Sequence, residues 1–216
     1  LKRTNTIAAI AALALIGISL ASIVSTGENW RYVIGSGVFR IRNVYPTPEF
    51  WKKRKAQTEI AYYKDSADAT VSVERSRNDP ASQIILRING KTDASSQGDL
   101  ATQYLLAHLP MAAKPDATNV FVLGFGSGIT GGALLNHPIQ KLTIAENCGP
   151  VLEAGEFFTK FNNGVLTNAR TLIRNDDARA VLKLSSTKYD IIINEPSNPW
   201  VVGVGSVFSK EFYELC

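Results

Sequence analysis

The chain has 216 residues, 45% of them hydrophobic, which is ample for one medium domain with an appendage. Its net charge of +4 is mild, and with no recurring aromatic-basic pattern it argues against nucleic acid as a partner. Two cysteines, Cys148 and Cys216, exclude a disulfide framework, and Cys148, directly after an expected strand, reads as a reduced thiol.

The first residue is Leu1 and the last, Cys216, falls inside an expected helix, so the chain reads as a segment of a longer protein. Residues 7–24 carry no charge and follow Lys2 and Arg3. That length is at the lower edge of a membrane-spanning helix, about 17–25 residues. A signal peptide is the rival reading, but the apolar stretch is long for one. Residues 1–27 are therefore expected to form a transmembrane helix or signal anchor in contact with lipid. Lys2 and Arg3 stand on one side and Arg31, Arg40 and Arg42 on the other, so charge leaves the orientation open.

Residues 28–57 are irregular and contain proline, as in a linker or covering segment. Within them Lys52, Lys53, Arg54 and Lys55 form a basic run. Such a run is a solvated face or, beside a membrane segment, a contact for anionic head groups. Residues 58–95 hold three stretches rich in β-branched and aromatic residues, TEIAYYKD, ATVSVERS and SQIILRIN. With a tight turn at Asn89-Gly90 they predict a small antiparallel sheet.

From residue 96 the rhythm changes. DLATQYLLAHLP has helical spacing and is expected to end at Pro110. Strands are expected at 120–123, 141–145, 171–173 and 190–194, separated by helical stretches at 130–136, 151–158, 177–184 and 209–215. Alternation of this kind predicts a parallel sheet with right-handed crossovers. The fold class is thus α/β, a Rossmann-like (class I methyltransferase-like) domain over 96–216, C-terminally incomplete, preceded by the small sheet.

The strand at 120–123 runs into a glycine-rich turn and a helix, an arrangement that brings backbone N–H groups to a ligand. Gly124, Gly126 and Gly128 give GxGxG, the spacing of nucleoside loops; Gly126, Gly128 and Gly131 also give GxGxxG, the dinucleotide fingerprint. Glu146 ends the next strand, where a carboxylate accepts from ribose hydroxyls in either case. Asp177 follows the third strand and has two readings, an acceptor for an adenine amino group or an acidic first turn of the next helix. The strand at 190–194 leads into Glu195-Pro196-Ser197-Asn198-Pro199-Trp200, a stiff polar loop over the same cleft as the glycine turn. His108 and His137 read as structural, and no metal-ligand cluster is expected.

These blocks, in this order, resemble the spermidine/spermine synthase (polyamine aminopropyltransferase) family, and most closely its membrane-fused bacterial branch. DLATQYLLAHLPM is similar to the family's helix ending in AHLPL. VFVLGFGSGITGGALLNHP is similar to its glycine loop. Asp177 matches the Asp of its GDG motif, and NEPSNPWVVGVGSVFSKEFY looks like the branch's SEPSNPW block.

The resemblance implies transfer of an aminopropyl group from decarboxylated S-adenosylmethionine, as co-substrate, to a polyamine amine. It implies Glu195 as the catalytic carboxylate. Gln103, Gly124, Gly126, Gly128, Glu146 and Asp177 would hold the donor, and Ser127, Ser197 and Asn198 would face the amine. No permanently bound cofactor is expected, and a homodimer is the candidate assembly. Since the donor is made in the cytosol, the domain is expected on the cytoplasmic face of a membrane.

Departures from the family fall in the amine half. Ser127 and Asn198 stand where it has Asp, Thr102 where it has Tyr and Tyr104 where it has Glu. Each weakens a partner for a cation, and a buried ammonium without a carboxylate is costly. Two rivals stay open: a methyltransferase using ordinary S-adenosylmethionine, and a non-catalytic nucleoside-binding module regulating a fused membrane region.

Overall fold

The structure, a computed structural model, describes residues 2–26, 29–37, 47–67, 69–79, 81–197 and 204–216, and within the first helix the side chains of 10–22. That helix, α1, spans Lys2–Thr26. Its described side chains are all exposed, Ile10, Leu13, Ile16 and Leu20 among them. The transmembrane expectation is met only as far as a helix: among the described residues none is long and apolar enough to cross a membrane.

The expected linker is partly helical, with α2 at Asn29–Ile34 and α3 at Pro48–Gln57. Thr47 caps α3 by accepting from the Phe50 amide, and Pro48 suits its first turn. The basic run lies on α3, and its members part ways. Lys52, Lys53 and Lys55 are exposed, whereas Arg54 turns inward, 2.5 Å from buried Glu74. Arg40 and Arg42 lie outside the described residues.

The antiparallel sheet has four strands in chain order, β1 Thr58–Asp65, β2 Thr70–Ser76, β3 Ile85–Ile88 and β4 Lys91–Ser95. The sequence pattern missed β4, whose KTDAS has little β propensity. Asn89 and Gly90 join β3 to β4 with φ of 49° and 71°. Two positive φ values are what a tight two-residue turn of type I′ requires. One irregularity follows: Leu86 pairs with Ala94 but Arg87 pairs with Thr92, leaving Asp93 as an extra residue in β4. A bulge of this kind re-aims a side chain.

Helix α4 spans Leu100–Ala113, so it runs three residues beyond Pro110, where it was expected to stop. A proline removes one helical N–H without ending the last turn. The parallel sheet follows with β5 Asn119–Leu123, α5 Ile129–Leu134, β6 Lys141–Ala145, α6 Gly149–Ala154, β7 Thr171–Arg174, α7 Ala178–Leu184, β8 Ile191–Asn194 and α8 Lys210–Leu215. Its strand order is β7-β6-β5-β8. After β5 the chain steps outward through β6 to β7, then returns to the other side of β5 as β8. The C-terminal ends of β5 and β8 therefore flank a topological switch point, where ligands bind open α/β sheets.

Alternation along β5 feeds both faces of this sheet. Val120 and Val122 join one apolar cluster that continues through Ile144, Leu142, Met111 and Ala107 to Leu86, Val73 and Val71 of the antiparallel sheet. Phe121 and Leu123 join the opposite cluster with Ala145, Val207 and Phe212. Asp190 ties the strand ends together by accepting from the amides of Thr118 and Asn119 at 2.8 and 2.9 Å. The two histidines meet, His108 Nδ1 to His137 Nε2 at 2.8 Å, bracing α4 against the end of α5.

Candidate active site

The switch point opens into a cleft of about 980 Å³, lined by the turn after β5, the ends of β6 and β8, the start of α7 and the β4 strand. Gly124, Gly126 and Gly128 have φ of 85°, 53° and 76°, a region L side chains avoid. Their surroundings differ. A side chain on Gly128 would meet the Phe125 ring at 2.5 Å, so this glycine serves packing. One on Gly126 would meet nothing within 4 Å, so there the bare backbone faces open cleft. Asn162, buried and unforeseen from sequence, braces the turn by donating to the carbonyls of Ser127 and Gly155, each at 3.0 Å.

Glu146 is buried at the end of β6. Its two oxygens accept from the amides of Phe125 and Cys148, each at 2.9 Å. Burial pushes its carboxyl above the ordinary range, the amide donors of Phe125 and Cys148 pull it back, and the negative charge of Asp93 pushes it up again. Each carboxylate oxygen still has a lone pair for another donor.

Asp177 lines the cleft as the N-cap of α7, accepting from the amides of Arg179 and Ala180. The Arg179 guanidinium, 3.0 Å away, holds its carboxyl below the usual range. The capping reading of Asp177 is thus the one the geometry shows, on a residue that also borders the cleft.

Glu195 follows β8 beside the glycine turn, its carbonyl 3.3 Å from where a side chain on Gly124 would begin. Thr130, at the start of α5, donates its hydroxyl to Glu195 Oε2 at 2.7 Å and lies 3.2 Å from the Gln103 carbonyl. Burial raises the Glu195 carboxyl, the Thr130 hydroxyl lowers it, and the charges of Asp93 and Asp99 raise it further. The outcome is a carboxyl held above its ordinary value beside open cleft, as a proton acceptor needs.

Gln103 is buried under the turn. It donates to the Ser95 carbonyl at 3.0 Å and accepts from the Ser127 hydroxyl. Ser127 is thereby engaged inward rather than toward a substrate. Ser197 borders the cleft and donates to Asp93 at 2.5 Å. Asn198 lies outside the described residues. Of the other departures, Thr102 is exposed on α4 and Tyr104 stacks on His108, so neither lines the cleft.

The sequence reading missed Lys91, Asp93 and Thr130, all of which line the cleft. Thr130 sits two residues past the GxGxG turn and had a positional signal; Lys91 and Asp93 lay on a strand the pattern did not reveal. Among the described residues no group of three or more His, Cys, Asp or Glu side chains could hold a metal ion.

Comparison with known proteins adds the relatives. The polyamine aminopropyltransferase of Lachnospira eligens is 32% identical over 133 residues, covering 61% of this chain and 46% of that protein. That of Thermotoga petrophila is 26% identical over 134 residues, covering 62% and 45%. The chain thus spans about half the length of the curated relatives it matches. Among solved structures, a spermidine synthase from Thermotoga maritima superposes with a TM-score of 0.63 at 22% identity, covering 73% of this chain and 52% of that one. A spermidine synthase in complex with the transition state analogue AdoDATO gives 0.62 at 21%, covering 73% and 51%. These likenesses establish the fold, an α/β parallel sheet with a small antiparallel sheet. Residues 99–216 match the spermine/spermidine synthase domain. By that match over more than half of its length, the chain belongs to the spermine/spermidine synthase family.

Proposed function

We propose that this protein moves an aminopropyl group from decarboxylated S-adenosylmethionine to an amine acceptor. The observation that carries the reading is the convergence of Glu195 and the glycine turn with Glu146 on one cleft at the sheet's switch point. The names of the curated relatives support it, since they are polyamine aminopropyltransferases.

In this reading Glu146 takes the ribose hydroxyls, and Asp177 meets the adenine. The bare backbone at Gly126 lets the nucleoside approach, while Gly124 and Gly128 hold the turn's shape. Gln103, fixed by Ser95 and Ser127, borders the donor's aminopropyl arm. The acceptor ammonium first gives a proton to Glu195. Its lone pair then attacks the carbon next to the sulfonium: a C–N bond forms, the C–S bond breaks, and sulfur keeps the electron pair as a neutral thioether. Positioning supplies much of the rate, because both reactants are held in one cleft. Ser197 completes the acceptor side, and the role expected of Asn198 belongs to the same reading.

The reading extends to location. The uncharged run at 7–24 and the exposed apolar side chains of α1 support seating at a membrane, with the cleft on the cytoplasmic side where the donor is made. Fractionation of cells expressing the full-length protein tests this: recovery in the soluble fraction overturns it. The homodimer belongs to the same reading and is tested by sedimentation.

The central experiment titrates the full-length protein with decarboxylated and ordinary S-adenosylmethionine by calorimetry, then assays transfer with Glu195→Gln. Binding of the decarboxylated donor, with transfer lost by roughly 10²–10⁴-fold in the variant, is the expected result. Preference for the carboxylated donor moves the assignment to methyl transfer. Binding of neither overturns the nucleoside reading.

A further inference from the structure

Among the described positions that depart from the family, none offers a carboxylate to a cationic acceptor: Thr102 and Tyr104 do not line the cleft, and Ser127 is engaged with Gln103. Asp93 is a further carboxylate among the described residues that line the cleft, with Glu195, Glu146, Asp176 and Asp177. Asp93 is the bulge residue of β4, the position at which the strand's alternation breaks and a side chain is re-aimed. Its negative charge is felt at both Glu195 and Glu146. Its Oδ1 accepts from the Ser197 hydroxyl at 2.5 Å, which joins it to the loop that carries Glu195. Among the described residues its Oδ2 has no partner.

Asp93 already holds a cation. The Lys91 ammonium lies 3.1 Å from Asp93 Oδ1, with both side chains mostly shielded, 24% and 17% exposed. A lysine side chain is a primary ammonium on a four-carbon stem, the same chemistry that one end of an aliphatic diamine presents. The pair is therefore local charge compensation for a carboxylate that has no other cation within 4.0 Å among the described residues. A partly desolvated carboxylate needs such a partner, and an incoming ammonium of equal charge can replace Lys91 without leaving Asp93 bare.

Resting on the aminopropyl-transfer reading, we propose that Asp93 receives the non-reacting ammonium of a diamine acceptor and that Lys91 occupies this place until the diamine displaces it. Acceptor choice then follows from the competition: a diamine gains Asp93, whereas a monoamine reaches Glu195 alone and leaves Lys91 where it is.

The test uses the full-length protein saturated with methylthioadenosine, the thioether product, and titrates putrescine or butylamine by calorimetry. Asp93→Asn is expected to weaken putrescine by about tenfold or more, the value of a charge-assisted hydrogen bond, while methylthioadenosine affinity stays within about twofold. Lys91→Met is expected to tighten putrescine, because the tethered competitor is gone, and to have no such effect in the Asp93→Asn background. Butylamine affinity should be insensitive to Asp93→Asn. Unchanged putrescine binding in Asp93→Asn, or weakening in Lys91→Met, overturns the proposal. If Asp93→Asn does not fold, the Lys91→Met result decides alone. A wild-type protein that binds methylthioadenosine but no putrescine overturns this inference and leaves the nucleoside reading standing; one that binds neither overturns both.

Discussion

Thr130→Val isolates the proton acceptor. The Thr130 hydroxyl sits 2.7 Å from Glu195 Oε2 and 3.2 Å from the Gln103 carbonyl, so its single proton serves the nearer, charged oxygen. Valine keeps the branch and the volume and removes the donor. A hydrogen bond to a charged group contributes ~1.5–3 kcal/mol. Competition from the Gln103 carbonyl favours the lower end, ~1.5 kcal/mol, which is roughly tenfold in the proton equilibrium.

Burial already holds the Glu195 carboxyl above its ordinary value, and the Thr130 hydroxyl opposes that rise. Removing the hydroxyl raises the carboxyl further. A base works only when ionised, so the rate climbs with pH through the Glu195 titration and then levels off. In Thr130→Val that climb is displaced to higher pH. The assay is kcat/KM for aminopropyl transfer in the full-length protein across the acidic to mildly alkaline range. On the acid side the variant should be about tenfold slower; on the alkaline plateau the two enzymes should coincide. Donor affinity should not change. A loss of equal size at every pH, or a climb that does not move, would refute Glu195 as the group that takes the proton.

Glu146→Ala should act on stability and ligand together, since the Phe125 and Cys148 amides lose their acceptor; unfolding by denaturant should show a loss of about 1–3 kcal/mol, with nucleoside binding abolished. Two glycines of the same stretch should behave oppositely. Gly126→Ala meets open space and carries only the left-handed backbone penalty of about 1–2 kcal/mol, so it should fold and lose nucleoside affinity. Gly132→Ala points into the Asn162 carbonyl and should fail to give folded protein, as circular dichroism and solubility would reveal. Outside the cleft lining, Glu74→Ala strips the buried carboxylate from Arg54 at 2.5 Å and Arg87 at 3.0 Å; thermal or denaturant unfolding should register about 3–5 kcal/mol, with nucleoside affinity of the folded fraction unchanged.

Local chemistry made the glycine-turn side of the cleft legible in the sequence. The run Val120–Leu123 reads as a strand, and glycines at 124, 126 and 128 read as a turn that side chains would forbid. The φ values bear that out at all three. Asn89-Gly90 carried its turn for the same reason. Glu146 and Glu195 were found because a parallel sheet puts strand ends on one side, a rule that needs no side-chain detail. Asp177 kept its two readings until the structure gave it the amides of α7 and the Arg179 guanidinium.

Other features depended on contacts between distant segments, which no local pattern encodes. KTDAS has weak strand propensity and pairs only because β3 offers it an edge, and Asp93 faces the cleft only because the register slips beside it. Thr130 and Glu195 are 65 residues apart in the chain. Arg54 looked like one of four solvated cations until Glu74 drew it in. Periodicity and turn chemistry are properties of neighbours in sequence, so residues 119–195 declared their fold by themselves. Pairing a hydroxyl with a carboxylate, or a lysine with the carboxylate a substrate would want, is a property of neighbours in space, and only the packed sheets created it.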